Sequence, residues 1–328
     1  MEHTSGVLAL MGALLLGGGG ESRLERLTAH DVAHRSARAT WSKPLGARAV
    51  PVLAGSEHEP RASSGRFTML SYNVAGLPSL VSPSRPEVNV PLISPLLNHY
   101  DVALVQEDFS YHRELDARAE HPYRSDTMRR SLALMPDGLN QFSRFAMGWT
   151  HRVRWNHCHG YFGHASDCLA DKGFSYTQLT LSDGVTVDVY NLHADAGGSA
   201  NDVRARRANF EQLTAYVRER SRGNAVIIAG DTNVRTSRRH DASTLSAFVS
   251  ALGLTEACDR SACGEERLDR IFFRSSDALE LDVAGWWTDV RFVDDDGEPL
   301  SDHPAIGVEI RWRLLDQEPP LMAETRTP

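Results

Sequence analysis

Ile227-Ile228-Ala229-Gly230-Asp231-Thr232-Asn233 decides how the rest of the chain is read. A short apolar run of this kind is a buried strand, and this one stops at a carboxylate with a carboxamide two residues on. Ligands bind at the carboxyl ends of strands in open α/β sheets, so Asp231 and Asn233 become candidates for chemistry. Gly-Asp after a strand is by itself only a turn signal. Its weight comes from other strands that end the same way.

On the amino-terminal side, Phe174 to Leu181 alternates, Asp183-Gly184 signals a hairpin, and the returning Val185 to Leu192 ends at His193 with Asp195 close behind. Further back, Phe67-Thr68-Met69-Leu70-Ser71-Tyr72-Asn73 alternates and stops at Asn73, and Val102-Ala103-Leu104-Val105-Gln106 runs straight into Glu107-Asp108. On the carboxyl-terminal side, Leu268-Asp269-Arg270-Ile271-Phe272-Phe273 is a strand with Asp269 at its start. Leu279 to Phe292 is expected to be a strand pair, and Leu300-Ser301-Asp302-His303-Pro304 leads into a closing strand from Ala305 to Trp312.

Three helices are expected between these strands. Pro91 through Leu97 places Pro near a first turn. Val203, Phe210, Leu213 and Val217 form an apolar stripe stopped by Gly223, with Arg204, Arg206 and Arg207 on its solvated face. Leu245, Phe248, Val249 and Leu252 form another, closed by Gly253. Residues 109 to 175 read as long loops around short strands, which is where substrate recognition is usually built.

The chain has 328 residues with ordinary apolar and charged fractions, enough for a large core. Its net charge of -8 argues against a broad basic surface for nucleic acid. No apolar run is long enough to span a bilayer as a helix. Val7 to Leu16 is similar to the apolar part of an export signal, although no Lys or Arg precedes it. The expected organisation is an export signal over 1–20, a linker or loosely ordered leader over 21–64, one domain over 65–315, and a solvated tail over 316–328.

The four cysteines fall as two close pairs, Cys158 with Cys168 and Cys258 with Cys263. Two local disulfides are the economical reading and fit a secreted or periplasmic protein. The rival is zinc, because His157, His159 and His164 crowd the first pair, but that spacing matches no familiar zinc pattern.

Strand ends and adjoining turns thus supply Asn73, Glu107, His193, Asp231, Asn233, Asp302 and His303, with Asp269 beside another strand. Oxygen ligands suit a hard cation, Mg²⁺ before Zn²⁺. A histidine with a carboxylate partner suits proton transfer near neutral pH. Phosphodiester hydrolysis needs a cation on a phosphoryl oxygen, an activated water and a proton for the leaving oxygen, and this set can supply all three.

Asn73, Gln106-Glu107, Asn191-Leu192-His193, Gly230-Asp231-Thr232-Asn233, Leu268-Asp269-Arg270-Ile271 and Ser301-Asp302-His303 resemble the ordered motifs of the endonuclease/exonuclease/phosphatase superfamily. That superfamily includes DNase I-like nucleases, abasic-site endonucleases, inositol phosphatases and bacterial sphingomyelinases. The resemblance runs from about Phe67 to Trp312. It implies a four-layer α/β/β/α sandwich with two packed, mixed β-sheets. It also implies that Glu107, Asn73 and Asp302 serve the Mg²⁺ (or Mn²⁺ or another divalent cation). Asp231 and Asn233 would align the water and hold a phosphate oxygen, His303 would be the general base oriented by Asp269, and His193 would serve the leaving group. Which histidine is acid and which is base stays open.

Asp167-Cys168-Leu169-Ala170-Asp171-Lys172-Gly173-Phe174 and Asn191-Leu192-His193-Ala194-Asp195-Ala196-Gly197 look more like the sphingomyelinase/phospholipase C-like branch than the abasic endonucleases. A phospholipid is therefore the expected partner ahead of DNA, with transient membrane-surface contact and no obligate protein partner. Trp286-Trp287 is either a membrane-touching tip or, the favoured reading, a pair of strand aromatics. The alternatives are a secreted DNase I-like endonuclease and, remotely, an inactive binding module.

Overall fold

The computed structural model describes residues 62–78, 84–128, 134–160, 167–258, 263 and 267–315. The expected export signal, nearly all of the leader and the tail lie outside these residues.

In chain order the strands are β1 (Ser64–Asn73), β2 (Val102–Gln106), β3 (Tyr123–Arg124), β4 (Asn140–Ser143), β5 (Ala146–Met147), β6 (His151–Arg154) and β7 (Gly173–Ser182). They continue with β8 (Val185–His193), β9 (Val226–Asp231), β10 (Thr255–Glu256), β11 (Asp269–Arg274), β12 (Leu279–Thr288) and β13 (Ile306–Leu314). The helices are α1 (Pro86–Leu96), α2 (His112–Asp116), α3 (Ala200–Arg220) and α4 (Arg239–Leu252). One sheet has the order β12-β13-β1-β2-β4-β3 and the other β10-β11-β9-β8-β7-β5, with β6 also on β7. β1–β2 and β8–β9 are parallel within otherwise antiparallel sheets.

The period of two along each strand builds the layers. Phe67, Met69, Val102 and Leu104 of the first sheet meet Val187, Val189, Ile227 and Ala229 of the second in a core between the sheets. Leu70, Tyr72, Ala103 and Val105 face the other way, onto Val90, Ile93 and Leu97. Tyr190, Leu192, Ile228 and Phe272 pack outward onto Phe210 and Leu213 of α3 and Phe248 of α4. Two helical layers thus enclose two mixed sheets, the expected four-layer sandwich.

The inner faces change character along their length. Phe67-Met69 gives way to Ser71-Asn73, Val102-Leu104 to Gln106, Val187-Val189 to Asn191-His193, and Ile227-Ala229 to Asp231, all buried. One end of the core between the sheets is therefore polar, and every candidate strand-end residue lies there. Gly230 permits this crowding: its φ is 141° and an added Cβ would stand 2.0 Å from the Leu192 carbonyl oxygen.

Three expectations need correction, and one open alternative is resolved. α1 begins at Pro86, not Pro91, because Pro86 occupies the first turn and Asn89 Nδ2 ties that turn to the Ser84 and Leu300 carbonyls. Leu279 to Phe292 is one strand to Thr288 followed by a loop, not a pair, and Asp289 turns the chain by accepting from Tyr100 Oη and Arg291 Nε. The Trp286-Trp287 pair is, as the favoured reading had it, a pair of strand aromatics: it lies within β12, and Trp287 covers Gly307 and donates from Nε1 to Tyr100 Oη at 3.1 Å. Arg206 is not solvated but 1% exposed, bidentate on Asp241 and donating to the Asp195, Ala196 and Gly197 carbonyls. Ser199 and Asp202 form a capping box on α3, which ends at Arg220 just before the expected Gly223, and Gly253 in the left-handed region closes α4 as expected.

Candidate active site

Both sheets contribute. Asn73 ends β1 and Glu107 follows β2 in the first sheet, while His193 ends β8, Asp231 ends β9 and Asp269 opens β11 in the second. His303 stands on the turn before β13. Asn73 Nδ2 donates to Glu107 Oε1 at 3.1 Å and to Asp231 Oδ2 at 3.3 Å, so the carboxamide links the two carboxylates. His193 Nε2 lies 3.4 Å from Asp231 Oδ2 and 3.8 Å from Glu107 Oε1. His303 Nδ1 bonds Asp269 Oδ2 at 2.7 Å, and its Nε2 points to Asp231 Oδ2 at 3.8 Å.

The backbone is specialised at two of these positions. Glu107 has φ 58° and Asn233 φ 51°. Such values cost a non-glycine residue free energy and persist where surrounding bonds over-determine them. The Glu107 carbonyl accepts from Gly76 N and Phe109 N. Asn233 is held through its backbone N–H on Asp231 Oδ1 at 2.9 Å and its Nδ2 on the Ala194 carbonyl at 3.1 Å.

Burial sets the electrostatics. It holds His193 neutral, well below the usual imidazole range, with the charges of Lys172 and His303 adding to the effect. For His303 burial works in the same direction but loses to the hydrogen bond and charge of Asp269, then to Asp231 and Asp302, and the imidazole is pushed up to about 10. Burial also raises Asp231 to about 6, with Asp269 adding to it, and raises Glu107 against the pull of Lys172 and Asn73.

The donor set fits a divalent cation. The Glu107 and Asp231 carboxylates converge on the Asn73 amide as oxygen ligands, and two carboxylates in one site repel unless positive charge lies between them. Glu107 keeps 19% side-chain exposure, which leaves a route in from solvent. Ligand atoms of Asp231, Asp269 and His303 also lie within 4.8 Å of one another. There, however, Asp269 Oδ2 is already engaged by the His303 ring, which is the arrangement of a proton-transfer pair.

Of the eight expected residues, seven are joined by these contacts. Asp302 stands apart: it is exposed, Ser301 Oγ lies 3.4 Å from its Oδ1, and its charge acts on His303 and Asp269.

Lys172 was given no role by the sequence. Its ammonium pairs with Asp167, and against the lowering effect of burial it is held charged by Asp167, Glu107 and Asp231. Asp195, likewise given no role, is buried and raised to about 7 by that burial and by Asp167. A lysine in an irregular loop has no periodicity to mark it; the only signal was the Asp167 to Gly173 stretch itself. A cavity of about 210 Å³ opens here, its wall including Glu107, Phe109, Asp167, Lys172 and Asp202. A larger groove of about 1090 Å³ between α3 and α4 contains none of the candidate residues, so chemistry rather than size identifies the site.

Cys158–Cys168 and Cys258–Cys263 are both disulfides, which removes the zinc alternative at the first pair. The residues next to Cys158 and Cys168 border the site: His159 N donates to Asp195 Oδ2, and Asp167 Oδ2 accepts from Ala196 N.

Comparison with known proteins agrees with this geometry. The family model for Endonuclease/Exonuclease/phosphatase family 2 matches residues 98–257. A sphingomyelinase of Mycobacterium bovis is 38% identical over 268 residues, which cover 74% of this chain and 52% of the relative. The chain thus spans about half the length of the curated relatives it matches. Among solved structures, beta toxin from Staphylococcus aureus with bound magnesium ions aligns with TM-score 0.56 at 18% identity, covering 74% of this chain and 99% of that one. Danio rerio TDP2 complexed with a single-strand DNA product gives TM-score 0.56 at 18% identity, covering 75% and 98%. At that identity the structures speak for the fold alone.

Proposed function

The chain belongs to the endonuclease/exonuclease/phosphatase superfamily, and on that premise we propose that it is a Mg²⁺-dependent phosphodiesterase of sphingomyelinase type. The observation that carries the reading is the convergence of Asn73, Glu107 and Asp231 beside the His303–Asp269 pair and the neutral His193. The similarity to curated sphingomyelinases supports a phospholipid head group over DNA as substrate, and the net charge of -8 points the same way.

Glu107 and Asn73 would hold the cation, and Asp302 would add its negative charge from the turn beside His303. When bound, Mg²⁺ polarises a phosphoryl oxygen and offsets the carboxylate charge that holds His303 protonated. Asp231 orients the attacking water through its Oδ2, and Asn233 turns its amide to a phosphate oxygen. Asp269 fixes the His303 ring through Nδ1, leaving Nε2 to take the proton from that water. Neutral His193 donates a hydrogen bond from Nε2 toward the leaving oxygen. Lys172, from the cavity wall, adds a fixed positive charge facing the substrate phosphate.

We infer export as well, because paired disulfides persist in oxidising compartments. The export signal, linker, catalytic domain and tail boundaries of the sequence reading stand as part of this proposal.

The test is purified protein with Mg²⁺ offered sphingomyelin vesicles and, separately, plasmid DNA. Release of phosphocholine with intact plasmid is expected. Nicked plasmid with intact lipid would replace the lipid reading with a nuclease.

A further inference from the structure

The candidate site is split between two sheets whose shared core is mostly apolar. Asn73 and Glu107 come from the first sheet, His193 and Asp231 from the second. Apolar burial is non-directional, so it holds the sheets together without fixing their offset to fractions of an ångström. Directional bonds between the sheets must do that.

Asn191 makes such bonds. It lies on β8, one pleat below His193, and is fully buried. Its Oδ1 accepts from Gln106 Nε2 at 2.7 Å, and its Nδ2 donates to the Val105 carbonyl at 2.9 Å and the Asn140 carbonyl at 3.2 Å. All three partners belong to the first sheet, on β2 and β4. Gln106, also fully buried, directly precedes Glu107 and stands beside Asn73 in the register of β1 and β2. The two amides therefore join the residue before Glu107 to the residue two before His193.

We infer that Gln106 and Asn191 are positioning residues, an amide clamp that sets the spacing between the Glu107–Asn73 half of the site and the His193–Asp231 half. Neither touches substrate; both act through the residues they precede. The inference rests on the catalytic reading given above. A misplacement of about 1 Å in such a site costs on the order of 100-fold in rate.

A nearby bond supplies the control. Gln141 Nε2 on β4 donates to Ser175 Oγ on β7 at 2.9 Å, crossing between the same sheets without adjoining any candidate residue. Gln106→Met removes the amide–amide bond at near-constant volume, and Asn191→Leu keeps the branched shape and removes all three bonds; Gln141→Met removes the control bond. The clamp variants are expected to lose about 10- to 100-fold in kcat with KM changed less than about threefold, and the double variant no more than the worse single one. Calorimetric Mg²⁺ titration, which needs no activity, is expected to weaken about tenfold in both. Gln141→Met is expected to keep kcat and Mg²⁺ affinity within about twofold of the parent. The inference is overturned if clamp variants match Gln141→Met in both readouts, or if their losses multiply in the double variant. Should Asn191→Leu fail to fold, Gln106→Met decides, since it leaves both carbonyl bonds of Asn191 in place. A parent protein without phosphodiesterase activity refutes the functional reading, and the Mg²⁺ titration then decides the clamp alone.

Discussion

Replacing Asp269 with Asn isolates the charge that governs His303. The carboxamide keeps the size and an acceptor oxygen for the ring Nδ1–H, now 2.7 Å from Asp269 Oδ2, and removes only the negative charge. With charge centres about 4 Å apart and an effective dielectric near 20, the lost attraction is about 4 kcal/mol. At 1.36 kcal/mol per pKa unit this is about 3 units. His303, pushed up to about 10 in the parent, should therefore titrate near 7 in Asp269→Asn. The assay is NMR titration of the His303 ring protons in metal-free protein, assigned by comparison with His303→Gln. A histidine raised in the folded state contributes its full stability below the unfolded value of about 6.5, and that contribution is lost as pH rises through about 10. The stability difference between parent and Asp269→Asn should thus shrink over that window. Hydrolysis by the variant should fall by roughly 10²- to 10⁴-fold. A variant in which His303 titrates within about one unit of the parent would refute the assignment of Asp269 as its partner.

Three further outcomes are expected. Arg206→Met strands the buried Asp241 carboxylate and releases the 195–197 carbonyls, at a cost of about 3–5 kcal/mol and a Tm lower by roughly 10 °C, read by thermal unfolding; a shift under about 2 °C would contradict it. Mg²⁺ at 100 times its Kd should add about 2.7 kcal/mol of stability, a Tm rise of roughly 5–10 °C, and Glu107→Gln should abolish most of it. His193 is held well below its unfolded value of about 6.5, so what it contributes is present above that pH and lost as pH falls below it. His193→Gln should lose less stability than the parent between pH ~6.5 and pH ~5 in urea titrations, and equal losses would remove burial as the cause.

The fold was legible where pattern and geometry share a period. Inner-face alternation of Phe67-Met69 and Ile227-Ala229, the turn at Asp183-Gly184 and the cap at Gly253 all follow from local chemistry. The carboxylates and amides at strand ends were legible because strands must deliver them there. Other features depend on contacts between distant segments. Arg206 looks like any arginine on a helix until Asp241 meets it from α4, and Lys172 is held by its pairing with Asp167 and by Trp155 N on its carbonyl. Trp286-Trp287 was ambiguous because an aromatic pair suits both a tip and a strand; Gly307 and Tyr100 opposite it decide for the strand.

The most direct measurement is the rate of phosphocholine release from sphingomyelin vesicles as Mg²⁺ is titrated into metal-stripped protein, for the parent and for Glu107→Gln. The account predicts a saturable, Mg²⁺-dependent rate in the parent and a rate at least 100-fold lower in Glu107→Gln, in keeping with loss of the cation's contribution. A rate independent of Mg²⁺, or one that Glu107→Gln leaves unchanged, would contradict it.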